Sequence, residues 1–538
     1  MNELARREVD VAIMGGGLAG LSLALQLRRR FSDLKIMVIE RRRHPVPEAA
    51  HKVGESTVEI AAFYFDEVLG LAGHLNEEQL PKFGFRFFFS EKCRHIEEAL
   101  EIGVSTALPT PTYQIDRGIF ENFLGSEAHA RGIDFTDGTV VRGIALGTDD
   151  VPHRVTCENG DGNLEVRARW LIDASGRASL LKRELALAEG NDHDVNSAWF
   201  RIEARIDVNE WSENQRWKQL CTPPDRWRST NHLVGEGYWV WLIPLGSGSH
   251  SVGIVADGRI HDSARINSFR RALEWLREFQ PLLAADVESK QSKLQDFLFI
   301  KHFSHNCRKV FSGDRWALTG ESGVFPDPFY SPGSDFIAIA NTYITELIAH
   351  DRAGQPVSAY SRVYEQLFMS FFESTMSLYR DQYRIFGDTD VLPVKVIWDY
   401  TYYWGVLCQI VFQNRLADIR TLADLREEMQ ASKDLNAAMQ DLFRSWSAAS
   451  PRRCRSGMLD QSRLPWFVEL NRGLMDRLDD AAFRSRIRAG LALMRKLARE
   501  ILLVAHSRAP EVDLAHIETM LPASVGDENR QLLGEFAN

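Results

Sequence analysis

The 538-residue sequence predicts an α/β protein that opens on a strand, a glycine turn and a helix, carries an antiparallel β layer in its middle, and ends in a mainly α-helical region. Three observations carry that prediction. Residues 8–14 form an apolar run that stops at Gly15-Gly16-Gly17-Leu18-Ala19-Gly20 and gives way to apolar periodicity through Leu21, Leu23, Ala24, Leu25 and Leu27. Residues 238–245 read Tyr-Trp-Val-Trp-Leu-Ile-Pro-Leu, so a strand here has apolar side chains on both faces and belongs between two packed layers. From about residue 340 onward, helical periodicity continues almost without strands.

The opening segment is a dinucleotide fingerprint in its required context. Gly15 permits the tight turn, Gly17 lets backbone approach a pyrophosphate at the helix N-terminus, and Gly20 lets helix and strand pack closely. A second apolar strand over residues 35–39 ends in Glu40, at the distance past Gly20 where an acid accepts hydrogen bonds from the ribose hydroxyls of an adenosine.

Three later segments extend this reading. Tyr113-Gln114-Ile115-Asp116-Arg117 precedes a helical pattern through Ile119, Phe120, Phe123 and Leu124. Trp170-Leu171-Ile172-Asp173 ends in the small-residue turn Ala174-Ser175-Gly176, and Trp316-Ala317-Leu318-Thr319 ends in Gly320-Glu321. In this order the elements resemble the FAD-dependent monooxygenases of glutathione-reductase-type fold. The resemblance spans roughly residues 5–345 and implies a Rossmann-like FAD-binding domain in which Arg117, Asp173 and Glu321 serve the cofactor. Glu321 stands where that family usually has Asp.

A second set of motifs narrows the resemblance. Gly54-Glu55-Ser56-Thr57 follows the Glu40 strand, and Lys82-Phe83-Gly84-Phe85 follows a helical stretch. Trp239-Val240-Trp241-Leu242-Ile243-Pro244 lies in the middle, and Phe325, Pro328, Ser331 and Gly333 meet a Phe-x-x-Pro-x-x-Ser-x-Gly spacing. Together they resemble the flavin-dependent halogenases, often described as tryptophan halogenases. The resemblance implies cofactor contacts at Gly15, Gly17, Leu18, Ala19, Gly20, Glu40, Glu55, Ser56, Arg117, Asp173, Glu321 and Pro328. It also implies a halide site at Ser331, Gly333 and Ser334, and a partition built from Trp239, Trp241, Ile243 and Pro244. Reduced FAD and O2 would generate hypohalous acid from a halide co-substrate, and Lys82 would deliver it to an electron-rich aromatic ring. In the free-tryptophan branch the lysine follows a slightly later pattern, which would put Arg86 there; a guanidinium stays protonated and cannot act as a neutral amine. Tyr330 replaces that branch's glutamate, and Pro332 lacks the N–H that a halide site can use.

The domain division expected from these motifs is an FAD-binding module over residues 1–345, discontinuous, with a substrate layer inserted at about 190–290, and a helical cavity-capping region over 346–538. Candidate strands in the layer run over residues 199–206, 238–245 and 251–256, and residues 262–292 read as helical. The aromatics Trp398, Tyr400, Tyr402, Tyr403 and Trp404 serve either as a ring-binding wall or as helix packing.

Composition sets the outer limits. With 44% hydrophobic and 26% charged residues the chain is globular rather than disordered, and a net charge of −10 argues against a nucleic-acid partner held by charge. The six cysteines lie far apart, without metal-site spacing, and are expected as reduced thiols. No stretch reaches the ~18 apolar residues of a membrane span, so the expected location is cytoplasmic. No second dinucleotide fingerprint occurs for a nicotinamide, so reduced FAD is expected from a separate flavin reductase. The substrate is expected to be a free aromatic molecule or an aromatic acyl group on a carrier protein, and the assembly a monomer or homodimer. An aromatic hydroxylase or epoxidase on the same fold, or a silent FAD-binding protein, are the alternatives. The last ~25 residues are expected to be loosely held.

Overall fold

The strand Ala5–Met14 sits inside a parallel sheet, between Ile36–Ile39 on one side and Gly162–Asp173 on the other. Asp134–Thr136 extends this sheet beyond Ile36–Ile39, and Trp316–Leu318 pairs in parallel with the last residues of Gly162–Asp173. The first half of Gly162–Asp173 turns instead to an antiparallel ladder with His153–Asn159, which pairs with Val140–Ala145. This Rossmann-like arrangement follows from the sequence: Ile36–Ile39 and the second half of Ala5–Met14 are buried on both faces and read as continuous apolar runs. The helix Leu18–Arg30 follows the first strand and closes on Arg28, Arg29 and Arg30, which complement its C-terminal dipole.

The computed structural model describes residues 5–49, 52–148, 151–160, 162–521 and 531–537. The chain divides into two units: residues 1–79, 115–192 and 304–373 form one, and residues 80–114, 193–303 and 374–538 the other. In the first unit the helix Gly333–Arg352 packs against Leu18–Arg30, and Asn341 ties the two together. Its Nδ2 donates to the Ala19 carbonyl (3.2 Å) and the Ser22 hydroxyl (3.1 Å), while its Oδ1 accepts from the Thr319 hydroxyl (2.7 Å).

The second unit is built on an eight-stranded sheet. Its order is Leu294–Ile300, Val195–Ile202, His250–Asp257, Tyr238–Pro244, Thr230–Gly235, Phe85–Phe88, Leu100–Gly103 and Gly457–Asp460. All neighbours are antiparallel except Thr230–Gly235 with Phe85–Phe88 and Leu100–Gly103 with Gly457–Asp460. Tyr238–Pro244 is an interior strand, as its two-sided apolar pattern requires. Tyr238, Val240 and Leu242 enter a core with Trp275, Leu276 and Phe279, which come from the helix Phe269–Phe279.

The strand expected over residues 199–206 runs instead over Val195–Ile202. Its pairing with Leu294–Ile300 shifts register between Arg201 and Ile202, and the chain then leaves the ladder: the Ile206 N–H donates to the His250 imidazole at 3.2 Å rather than to a strand. Helices dominate after residue 374, including Leu392–Tyr402, Arg426–Ala449 and Asp480–Arg508. The expectation of a loosely held tail falls partly on residues 522–530 and 538, outside the described residues. Among the described residues no helix is long and apolar enough to cross a membrane, and no group of three or more His, Cys, Asp or Glu side chains is placed to hold a metal ion. The six cysteines carry free thiols.

Candidate active site

Register brings the fingerprint residues of the first unit to one end of the parallel sheet. Met14 pairs with Ile39 and with Asp173, and Asp173 pairs with Leu318, so the segments that begin at Gly15, Glu40, Ala174 and Thr319 leave the sheet together. Ligands of open parallel sheets bind at this carboxyl end. Gly15 has φ +119°, and a Cβ there would fall 2.3 Å from the Ala174 carbonyl oxygen. At Gly20 a Cβ would fall 1.9 Å from the Gly15 carbonyl oxygen. Gly17 differs from both: the nearest heavy atom to its Cβ position is Glu121 Oε1 at 3.9 Å, so the space over the helix start is open. The helix N-terminus carries no side-chain cap and no acid in its first turn. An open approach to uncapped N–H groups fits the pyrophosphate of a dinucleotide.

Around this cradle the acids differ in situation. Glu40 accepts from the Gly16 N–H (2.6 Å) and the Arg42 N–H (2.7 Å) and stands half-buried beside the glycine turn. Asp173 is fully buried, with its oxygens engaged by the N–H groups of Ser175 (2.9 Å) and Leu181 (2.7 Å), and burial raises its pKa above the ordinary carboxylate value. It braces the turn that follows it. Glu321 pairs with Arg177 at 3.2 Å, and its carbonyl lies 3.0 Å from the His305 imidazole. Arg117 donates to the Val53 carbonyl (2.5 Å) and to Glu121 (2.6 Å), which pins the backbone just before buried Glu55 and Ser56.

The segment running from Phe325 to Gly333 forms a strained turn into a helix. Tyr330 and Ser331 have φ of 64° and 54°, consecutive left-handed residues that few side chains tolerate. The turn is fixed from within: the Ser331 N–H donates to the Pro328 carbonyl (2.9 Å), and the Phe329 N–H to buried Asp327 (2.8 Å). Pro332 stands at the N-cap of Gly333–Arg352 with no side-chain cap, so the donors at this helix start are the N–H groups from Gly333 onward.

In the second unit the lysine and the tryptophans selected from sequence lie along one line of aromatic rings. Lys82 is only 9% exposed, and its Nζ sits 3.4 Å from the ring centroid of Phe85. Phe85 meets the His232 ring edge-on at 5.2 Å, His232 meets Trp239 at 5.2 Å, and Trp239 meets Trp241 at 5.7 Å. Phe87 stacks on His232 at 4.7 Å, and Tyr400 approaches Phe85 at 6.4 Å. Burial, then the charge of Lys82, pushes the His232 imidazole down to about 3, so it is neutral at ordinary pH. Its Nδ1 lies 3.3 Å from the Arg86 carbonyl, within hydrogen-bond reach for the tautomer that carries its proton on Nδ1. The indole N–H of Trp239 donates to the Tyr383 hydroxyl (3.1 Å) and that of Trp241 to Ser251 (3.1 Å). Ile243 and Pro244 continue the same strand, both buried, with Pro244 opposite His250.

Arg86 has a different situation from Lys82. It is completely buried and paired with Glu101, which also accepts from Arg226 Nε at 2.8 Å and from the Trp217 indole at 3.1 Å. Arg86 Nη2 donates to the Val104 carbonyl at 2.6 Å. A guanidinium held this way braces the sheet. Of the aromatics in 398–404, Trp398 is a packing residue, bonded to Asn436 at 2.9 Å, whereas Tyr400 reaches the Lys82 neighbourhood through Phe85.

Sequence reasoning passed over Phe85, His232, Tyr383 and Asn341. Only the Lys-x-Gly-Phe spacing around Lys82 hinted at the first of them.

Residues 8–250 match the FAD binding domain family. Flavin-dependent halogenase chlA of Dictyostelium discoideum is 25% identical over 468 residues, 79% of this chain and 76% of its own. The 1H-pyrrole-2-carbonyl-[peptidyl-carrier protein] chlorinase of Pseudomonas fluorescens is 26% identical over 61% of this chain and 73% of its own. Among solved structures, that of halogenase PltM shares the fold with a TM-score of 0.63 at 16% identity, over 96% of this chain and 99% of that one.

Proposed function

We propose, from the premise that this chain belongs to the flavin-dependent halogenases, FAD-dependent oxidoreductases of the monooxygenase fold, that it halogenates an electron-rich aromatic ring with Lys82 as the delivering residue. When bound, reduced FAD supplies the oxygen activation that turns halide into hypohalous acid. The residues that would hold the cofactor are Gly15, Gly17, Leu18, Ala19 and Gly20 at the pyrophosphate, Glu40 at the ribose, and Glu55, Ser56, Arg117, Asp173, Glu321 and Pro328 around the remainder. Ser331, Gly333 and Ser334 are the proposed halide donors.

The observation that supports the chemistry best is the position of Lys82 at the end of the Phe85–His232–Trp239–Trp241 line. An amine at the edge of an aromatic cluster hydrogen-bonds the oxygen of hypohalous acid and points the halogen at a ring held by the same cluster. Trp239, Trp241, Ile243 and Pro244 form the proposed partition: bulky, buried side chains that keep organic substrate from oxygen chemistry while a small oxidant passes. The helical region 346–538 is assigned the enclosure of the substrate. Reduced FAD would come from a separate reductase. A free aromatic and a carrier-bound aromatic acyl group both remain within this proposal; the carrier-bound case draws support from the relative named as acting on such a substrate.

The test is one incubation of enzyme, FAD, a flavin reductase and a panel of phenols, pyrroles and indoles, free and carrier-bound, with and without bromide, read by mass spectrometry. A bromine isotope pattern supports the proposal; a halide-independent gain of one oxygen assigns the chain to hydroxylation instead. Lys82→Ala should abolish halogenated product while flavin oxidation continues, and halogenation that survives the change refutes the role given to Lys82.

A further inference from the structure

The Lys-Phe-Gly-Phe segment has a geometry that its spacing alone does not explain. Gly84 has φ +71°, so the chain turns between the short strand Leu80–Pro81 and the sheet strand Phe85–Phe88. The approach to the turn is anchored twice, the Lys82 N–H donating to the Thr112 carbonyl at 2.9 Å and the Phe83 N–H to the Arg228 carbonyl at 3.1 Å, and the Gly84 carbonyl accepts from the Thr230 N–H at 3.1 Å. The turn folds the lysine back over the residue three places ahead, with Nζ 3.4 Å from the Phe85 centroid. That is closer than Arg205 over Trp227 (3.9 Å) or Arg226 over Trp217 (4.0 Å).

Phe85 is itself braced. Its ring is 2% exposed and meets His232, Phe87 and Tyr400 at centroid distances of 5.2, 6.4 and 6.4 Å. A ring fixed by three others presents one face to the amine. Ring faces are electron-rich and attract an ammonium, more strongly where water is scarce. The neighbouring imidazole adds no second positive charge, because burial keeps His232 neutral.

We propose that Phe85 is a positioning residue that holds Lys82 in its ammonium form by presenting a ring face to Nζ, so that Lys82 acts as a hydrogen-bond donor to the oxidant rather than as a free amine that becomes N-halogenated. This rests on the delivering role proposed for Lys82. No nitrogen–halogen bond forms in this scheme: the ammonium donates a hydrogen bond to the hypohalous oxygen, and the oxygen–halogen bond breaks as the halogen bonds to the ring carbon. The departing oxygen takes the ammonium proton and leaves as water, and the proton that the halogenated ring carbon then loses restores the ammonium.

The test replaces Phe85 with a fluorinated series, 4-fluoro- to 3,4,5-trifluorophenylalanine, which preserves shape but progressively weakens the ring face, alongside Phe85→Leu and Phe85→Trp. Lys82 is followed by the NMR titration of its 13C-dimethylated amine in the cofactor-free, substrate-free chain. The proposal expects the Lys82 midpoint to fall stepwise along the fluorinated series and by about one pH unit in Phe85→Leu, with Phe85→Trp retaining it. A side chain that only packs would lower thermal stability without moving that midpoint, and a midpoint unchanged across the fluorinated series overturns the proposal. Halogenated product per reduced flavin consumed should drop roughly tenfold in Phe85→Leu and be restored in Phe85→Trp. Because the titration needs neither flavin nor substrate, a wild type that fails to halogenate counts against the function alone, and the fluorinated series still decides whether Phe85 holds the charge on Lys82.

Discussion

The indole of Trp241 lies against Gly253 on the adjacent strand, so closely that a Cβ there would fall 2.1 Å from the ring. Gly253 is therefore the floor on which the tryptophan rests. Gly253→Ala should displace Trp241 and cost about 1–3 kcal/mol through overpacking, read as a lower urea midpoint. If the partition role is correct, the same variant should raise hydrogen peroxide released per reduced flavin; coupling equal to wild type would count against Trp241 as a barrier.

Gly17→Ala separates folding from cofactor binding. Its Cβ would meet only Glu121 Oε1, at 3.9 Å, so cofactor-free thermal stability should match wild type. A methyl group at the pyrophosphate approach should nevertheless weaken FAD binding by tenfold or more, about 1.4 kcal/mol, measured by fluorescence quenching. Unchanged FAD affinity would remove Gly17 from the cofactor contacts.

Much of this was legible in the sequence because the rules involved are local. Gly15 to Gly20 encode a turn, Tyr238 to Leu245 a strand buried on two faces, and each acts within a few residues. The illegible part depends on partners far along the chain. Gly253 supports Trp241 only because two strands pair in one register. His232 enters the Lys82 cluster from Thr230–Gly235, a strand that carries no motif. The chemistry of a guanidinium already sets Arg86 apart from the lysine, but its structural role shows only where distant Glu101, shared with Arg226, pairs with it. Phe85 was in plain view beside Lys82, yet its hold depends on the positive φ of Gly84.

Halide choice should reflect the helix start at Gly333. With Pro332 at the N-cap, one backbone donor is absent, which favours ions that surrender their hydration more readily than chloride does. In competition at equal chloride and bromide, the brominated product should dominate by at least about tenfold, a bias of roughly 1.4 kcal/mol. A clear preference for chloride would overturn this reading.

Two buried imidazoles link stability to pH. Burial, followed by nearby positive charge, pushes both His232 and His250 down to about 3, whereas an unfolded histidine titrates near 6.5. The unfolded chain thus binds more protons between those values. The stability these groups confer is complete above pH 6.5 and is lost as pH falls toward 3, at about 1.4 kcal/mol per pH unit for each. Urea unfolding at pH 7, 6 and 5 should show the loss, and His250→Asn should lower the slope between pH 6 and 5 by up to about 1.4 kcal/mol per pH unit, the rest staying with His232 and with His44, His74 and His153, which burial also shifts down; an unaltered slope would exclude His250 as a contributor.

The two units are interleaved along the chain, changing from one to the other at residues 79/80, 114/115, 192/193, 303/304 and 373/374. During vectorial synthesis, Gly162–Asp173 emerges long before its parallel neighbour Trp316–Leu318, and Leu100–Gly103 waits for Gly457–Asp460 until most of the chain has left the ribosome. Both strands must spend that interval with an open ladder edge, a template for misassembly. Shielding of these waiting edges is thus a demand that the chain order places on folding in a cell, and neither unit is a contiguous stretch of the chain.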